Sequence, residues 1–339
     1  MTAPLAPVQL GRSGLRVSPL CLGTMTFGAT CDAGEARRIS DRCLDAGVFF
    51  WDTADMYGGG ASEEIVGGLL AGRRQRVVLA TKAFAPMGPG ANDRGLSARH
   101  LIAACEASLR RLRTDWIDLY YLHLPDRSVP LDETLRAMED LVRSGKVRYV
   151  GASNFRAWEV RDLDHTARRH GWQPLTAVQP LYNLLNRDIE VELLPMCSEH
   201  GLGVVSYSPL ARGVLTGKYR SGEAPPAASR LARNNKRFLQ AEWREASLEV
   251  VEALRPMAAA RGVPLSQLTL RWAMANAQVH SIIIGPRTLA QADDALMAAA
   301  VPWDAELEAA VDALVPPGTH SGREWPDPAY YPVTGRTLA

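Results

Sequence analysis

The sequence predicts an α/β fold, a (β/α)8 TIM barrel, on three observations. Short apolar runs alternate with longer amphipathic segments along most of the 339-residue chain. Eight such runs occur, each four to eight core residues long and bounded by polar residues or glycine, the pattern of strands buried on both faces. No early G-x-G-x-x-G marks a doubly wound dinucleotide fold, and GGGASEEIVGG, the nearest stretch, has the wrong spacing. A chain of this length admits two domains, but α/β barrels of this size run as one, so a single domain over 1–339 is expected.

The elements follow in order. VQLGRSGLRVS reads as a hairpin capping the barrel floor, and VSPLCLGTM as the first barrel strand. AGEARRISDRCLDAG is a helix that starts after Cys31 and Asp32 and stops at Gly47, a C-cap residue. FFWDTAD is the second strand, and SEEIVGGLLAGR opens a helix with Ser62 and acids in its first turn. VVLATKAF leads into SARHLIAACEASLRRL, and IDLYYLHL into PLDETLRAMEDLVRSG, which begins on proline and ends on glycine. VRYVGASN and LTAVQPLYN precede the helices AWEVRDLDHTARRHG and ELLPMCSEHG. After the seventh strand, LGVVSYSPL, residues 211–245 form a long polar insertion, and loops of that length tend to be functional or mobile. PLSQLTLRWAMAN is an extra helix before the eighth strand, HSIIIGP, and TLAQADDALMAA closes the set. The tail, PPGTHSGREWPDPAYYPVTGRTLA, reads as an irregular segment laid over a surface, and Trp51, Met56, Phe84, Trp325, Tyr330 and Tyr331 are candidate walls of an apolar substrate pocket.

Composition narrows the function classes. The net charge is +1 and no long basic tract occurs, so neither nucleic acid nor an anionic membrane surface is an expected partner. The five cysteines, Cys21, Cys31, Cys43, Cys105 and Cys197, are scattered without a CxxC spacing, so no disulfide framework, zinc site or other metal is expected. The N-terminus has no uninterrupted apolar region and no run of 18 apolar residues occurs, which together favour a cytoplasmic protein.

In this architecture chemistry sits at the carboxyl ends of the strands. Those ends carry Asp52, then Tyr57 in the following loop, Lys82, His123, the pair Ser153 and Asn154, Gln179, and the pair Tyr207 and Ser208. Taken singly, each has a structural explanation: a strand cap, a packed phenol, a solvated lysine, a core histidine. Their occurrence at successive strand ends favours chemistry, because separate structural explanations would all have to hold at once.

At these positions the sequence resembles the aldo-keto reductases, in particular bacterial members, over about residues 8 to 300. The resemblance rests on LGTMTFG, DTADMYGGGASEE, ATKAF, DLYYLHLPD, GKVRYVGASNF, VQPLYN, YSPLARGVLTGKY and IIIGPRT. It implies a barrel oxidoreductase that reduces an aldehyde or ketone with NADPH, and a catalytic set of Asp52, Tyr57, Lys82 and His123. The physics agrees. Hydride delivery to a carbonyl carbon leaves negative charge on oxygen, which needs a proton. A phenol, with a pKa of about 10, is a reluctant acid until a cation stands beside it. Lys82 would be that cation, Asp52 would hold it, and His123 would orient the carbonyl by a hydrogen bond.

The resemblance also implies the cofactor contacts. Thr24 and Met25 would lie beside the nicotinamide ribose, Ser153, Asn154 and Gln179 would bond the carboxamide, and Tyr207 would stack on the ring. Asp52 borders the same space. Ser208, Leu210, Gly213, Leu215 and Lys218 would line the pyrophosphate. Gly285, Arg287 and Gln291 would surround the adenosine and its 2′-phosphate, for which a guanidinium has matching donors. One departure bears on NADPH over NADH: where the family often has an acid–asparagine pair on the adenine, this chain has Asp294 and Ala295. The partner is expected to be a small carbonyl compound, with homo-oligomer formation left open. A reductase of a nucleotide-linked keto-deoxysugar, a cofactor-binding regulatory subunit, and a Schiff-base aldolase using Lys82 are the alternatives.

Overall fold

The computed structural model describes residues 4–220, 223–226, 229, 231–232, 238–239 and 242–321. A hairpin of β1 (Val8–Gln9) and β2 (Arg16–Val17) leads into a closed parallel barrel. Its strands are β3 (Leu20–Gly23), β4 (Phe50–Asp52), β5 (Val78–Ala83), β6 (Ile117–Leu122), β7 (Val147–Ser153), β8 (Ala177–Gln179), β9 (Gly203–Ser206) and β10 (Ser281–Ile284). Each pairs with the next in sequence, and β10 closes the ring by laying Ile282 against Leu20 and Ile284 against Leu22.

The helices outside the barrel are α1 (Ala33–Asp45), α2 (Ala61–Leu70), α3 (Ala98–Leu112), α4 (Leu131–Arg143), α5 (Ala157–His170) and α6 (Leu193–His200). They continue as α7 (Glu245–Ala260), α8 (Leu265–Ala275), α9 (Leu289–Met297) and α10 (Ala305–Leu314). Side-chain caps start several of them. Asp32 accepts from the Glu35 amide, Ser97 from His100, Thr288 from Gln291 and Asp304 from Leu307. Ser62, expected to open its helix, does not cap it. Gly60 occupies that position, and the Ser62 hydroxyl donates instead to the Thr24 carbonyl at 2.8 Å. Two helices lack a counterpart in the sequence reading. In α7 an internal proline, Pro256, hides the helical pattern, and α10 is a short helix opened by Asp304.

Alternation of side chains along the strands sorts the interior into two layers. Leu20, Leu22, Trp51, Leu79, Tyr120 and Leu122 point outward into the core shared with the helices. Cys21, Phe50, Ala80, Leu119, Tyr121, Ala177 and Val205 point inward and fill the lower barrel together with Leu10 and Val17 of the hairpin. The hairpin thus closes the floor, as the sequence suggests. Among the described residues no helix is long and apolar enough to cross a membrane. The tail residues Trp325, Tyr330 and Tyr331 lie outside the described residues.

Candidate active site

The site is the next inward layer above the apolar plug. Asp52 comes two residues after Phe50, Lys82 two after Ala80, and His123 two after Tyr121. Gln179 comes two after Ala177, and Tyr207 two after Val205. A period of two carries each of them onto the same inner face, at the carboxyl end of its strand.

Lys82 is fully buried. Its Nζ donates to Asp52 Oδ1 at 2.5 Å, to the Thr53 carbonyl at 2.8 Å and to the Tyr57 hydroxyl at 3.3 Å. An ammonium has three donors, so all are committed. The other Asp52 oxygen accepts from Gln179 Nε2 at 2.8 Å. Burial works against the charge on Lys82, but Asp52 and Tyr57 outweigh it and hold the pKa above its ordinary value. Tyr57 is set by a tight turn in which its amide donates to the Ala54 carbonyl at 3.1 Å. Gly60, which ends the segment after that turn, holds a φ of 103°, a conformation that favours glycine. The His123 ring meets the Tyr57 ring edge-on at 6.0 Å. Burial, and secondarily Lys82, pushes His123 down to about 3, so the ring is neutral at physiological pH.

A cleft of about 590 Å³ opens beside this cluster and is lined by Asp52, Tyr57 and His123. Met25, Ser153, Asn154, Gln179 and Tyr207 line the same cleft. They are cross-linked: Asn154 Nδ2 donates to the His123 carbonyl and to Ser153 Oγ, both at 3.0 Å, and the Tyr207 hydroxyl donates to Asn154 Oδ1 at 2.7 Å. Ser208, Leu210, Gly213 and Lys218 line it from the segment after β9, and Gly285, Arg287 and Gln291 from the segment after β10. Asn154 and Ser208 hold positive φ, 65° and 56°, which bends the chain at the barrel rim. Arg287 precedes the N-terminus of α9, where its amide donates to Gln291 Oε1 at 2.9 Å.

Lys82 is buried behind Asp52 and Tyr57, and two of the expected cofactor residues also stand back from the cleft. Thr24 is buried, with its hydroxyl 3.1 Å from the Asp52 carbonyl and 2.9 Å from the Ser62 hydroxyl. Leu215 belongs to the apolar core. Thr26 lines the cleft in place of Thr24, because the chain turns at that point, the Phe27 amide donating to the Thr24 carbonyl at 2.9 Å. Arg212 also lines it and was not singled out from the sequence; Met56, expected as a pocket wall, lines it too, whereas Trp51 and Phe84 pack with the apolar core instead. Arg212 had a legible signal, an arginine beside Gly213 in a turn, and it sits at a φ of 51°. Asp294 lines the cleft but is tied to α8, accepting from Ser266 Oγ at 2.6 Å and Gln267 Nε2 at 2.8 Å. Among the described residues no cluster of histidine, cysteine or acids could hold a metal ion.

Comparison with known proteins finds relatives over most of the chain. Residues 19–316 match the profile of the Aldo/keto reductase family. An uncharacterized oxidoreductase, YrpG, of Bacillus subtilis is 41% identical over 91% of this chain and 95% of its own length. A "probable voltage-gated potassium channel subunit beta" of rice is 41% identical over 82% of this chain and 86% of its own. The versiconal hemiacetal acetate reductase of Aspergillus parasiticus is 33% identical over 93% of this chain and 98% of its own. A closed parallel barrel, a buried acid–lysine pair at its mouth and a profile match over most of its length together establish that the chain belongs to the aldo/keto reductase family.

Proposed function

We propose that this protein is an NADPH-dependent reductase of aldehydes or ketones, with Tyr57 as proton donor. The observation that carries the reading is the Lys82 ammonium, bonded at once to Asp52 and to the Tyr57 hydroxyl. The residues fit a nicotinamide dinucleotide. Amide and hydroxyl groups of Ser153, Asn154 and Gln179 line the cleft with Asp52, and Arg287, just before the N-terminus of α9, offers a phosphate site on the same cleft. A bound nicotinamide would supply the hydride. Lys82 stabilises the negative charge left on the Tyr57 oxygen when its proton departs. Asp52 keeps the ammonium in place and Gln179 keeps Asp52 in place. His123, being neutral, donates one N–H to the carbonyl oxygen without adding a charge that would compete with Lys82.

Met25 and Met56 are exposed at the cleft and make its outer wall apolar and adaptable, which suits a small apolar carbonyl compound. Similarity to the rice channel subunit supports a second reading, a regulatory subunit that keeps the cofactor cleft. A panel of aldehydes and ketones, followed by loss of NADPH absorbance, separates the two. Turnover supports the enzyme, and tight NADPH binding without turnover of any carbonyl supports the subunit.

A further inference from the structure

Behind the site lies a buried acid that the reduction does not use. Beyond β4 the chain stays beside β5, the Thr53 amide donating to the Ala80 carbonyl at 2.9 Å and the Asp55 amide to the Lys82 carbonyl at 3.1 Å. Asp52 points into the barrel, so the alternation turns Thr53 and Asp55 outward, against the helices. Two residues later the chain presents Tyr57 to the cleft. Asp55 is therefore wedged behind the turn that carries the phenol.

Asp55 and Glu63 of α2 are both 0% exposed. Glu63 is satisfied: Thr81 Oγ1 donates to it at 2.6 Å and Arg111 Nε at 2.7 Å. Asp55 is not. Among the described residues, no donor meets either of its carboxyl oxygens in hydrogen-bonding geometry, and the adjacent Met56 amide eases its charge only in part. The groups around the pair are Arg111 and Cys105 of α3, Lys82 of β5 and Tyr120 of β6. The Tyr120 hydroxyl is turned away, donating to the Leu101 carbonyl at 3.4 Å. One guanidinium thus serves two carboxyls and is committed to Glu63. Burial, and after it the charge on Glu63, pushes the Asp55 carboxyl up to about 7. A neutral carboxyl is tolerated there, whereas an ionised one without a partner must reach water.

We propose that Asp55 is a positioning residue that works as a buried neutral acid, keeping the Tyr57 turn docked, and that its ionisation displaces the turn and lowers turnover. The proposal rests on the reading of Tyr57 as proton donor. The displacement follows from connectivity: the carboxylate leaves the strand–helix interface only by moving Ala54 to Tyr57 with it.

The test compares wild type with Asp55→Asn, which copies the neutral acid, and Glu63→Gln, which removes the neighbouring charge. With one aldehyde and saturating NADPH, wild-type kcat is expected to fall about tenfold from roughly pH 6 to 8, as the neutral fraction drops from about nine-tenths to one-tenth. Asp55→Asn should lose that limb, and Glu63→Gln should move it to lower pH. Infrared difference spectra should show a protonated carboxyl band that titrates with the limb and is missing in Asp55→Asn. A limb that persists unchanged in Asp55→Asn overturns the proposal. So does an Asp55→Asn protein that melts like wild type yet is inactive at every pH. If wild type turns over no carbonyl at all, the reductase reading fails separately, and the infrared band alone decides whether Asp55 holds the proton: present and titrating, the buried acid stands; missing, it falls.

Discussion

The floor and the mouth of this barrel are built from the same strands, two residues apart, and they solve opposite problems. At the floor, Phe50, Ala80, Tyr121, Ala177 and Val205 meet Leu10 and Val17 of the hairpin in an apolar plug. At the mouth, the next inward residues are Asp52, Lys82, His123, Gln179 and Tyr207. The floor gains stability from burial that needs no direction. The mouth buries an acid and an ammonium, which is tolerable only because each has its partners, and that demand fixes their positions to a fraction of an ångström. Substitutions should therefore act differently in the two layers, on stability at the floor and on chemistry at the mouth.

The sharpest way to break this contrast is Tyr57→Phe. It removes one oxygen from the mouth and should lower kcat by about 10²–10⁴-fold, the usual contribution of general acid catalysis, with NADPH binding retained. Near-normal turnover would remove Tyr57 from the proton path. Lys82→Met and Leu10→Ala form a matched pair. Losing Lys82 leaves Asp52 buried without its cation, at a cost of about 3–5 kcal/mol in denaturant titrations, together with loss of turnover. Losing the Leu10 side chain should cost about 2–5 kcal/mol while kcat per folded molecule stays unchanged. A Leu10→Ala protein with impaired kcat would show that the floor reaches the chemistry.

A smaller effect is expected at the outer cleft. Arg287→Ala should weaken NADPH binding by about 1.5–3 kcal/mol, as for a hydrogen bond to a charged group, and NADH binding far less. Fluorescence titration of both cofactors checks this, and equal losses would place Arg287 away from the 2′-phosphate. The last comparison is the titration of His123, which acts on stability and not on cofactor binding. Its folded pKa, about 3, lies below the ordinary value of about 6.5. Between those values the unfolded chain takes up a proton that the folded ring refuses, so stability falls as pH drops through that window. In NMR spectra the ring should stay neutral down to about pH 4, and a midpoint near 6.5 would mean that the mouth is hydrated.

How much of this was legible in the sequence follows from where periodicity holds. Along the strands, and for one residue beyond β6 and β9, a period of two holds, so Asp52, Lys82, His123, Gln179 and Tyr207 could be placed from the runs alone. Further past the strand ends the period is lost. Thr24 and Thr26 look alike in LGTMTFG, and only the turn that buries the first sends the second to the cleft. Arg212 escaped because its left-handed backbone turns it toward the cleft by a route no periodicity encodes. The helix α7 was missed because Pro256 reads as a breaker, although the helix holds its place by packing Leu248, Val251 and Leu254 into the core. In the sequence Asp55 reads only as the last residue of the FFWDTAD strand run, with no role of its own. Its isolation depends on Arg111, 56 residues away in the chain, being committed to Glu63.

Reduction of a carbonyl group at the mouth, with a hydride from NADPH and a proton from Tyr57, can be followed atom by atom with NADPH deuterated at the transferred position, wild-type protein and a reactive aldehyde, by mass analysis of the alcohol. One deuterium is expected on the carbinol carbon with wild type and almost none with Tyr57→Phe. Alcohol formed equally by both proteins, or NADPH bound by wild type with no deuterium transferred to any carbonyl, would contradict it.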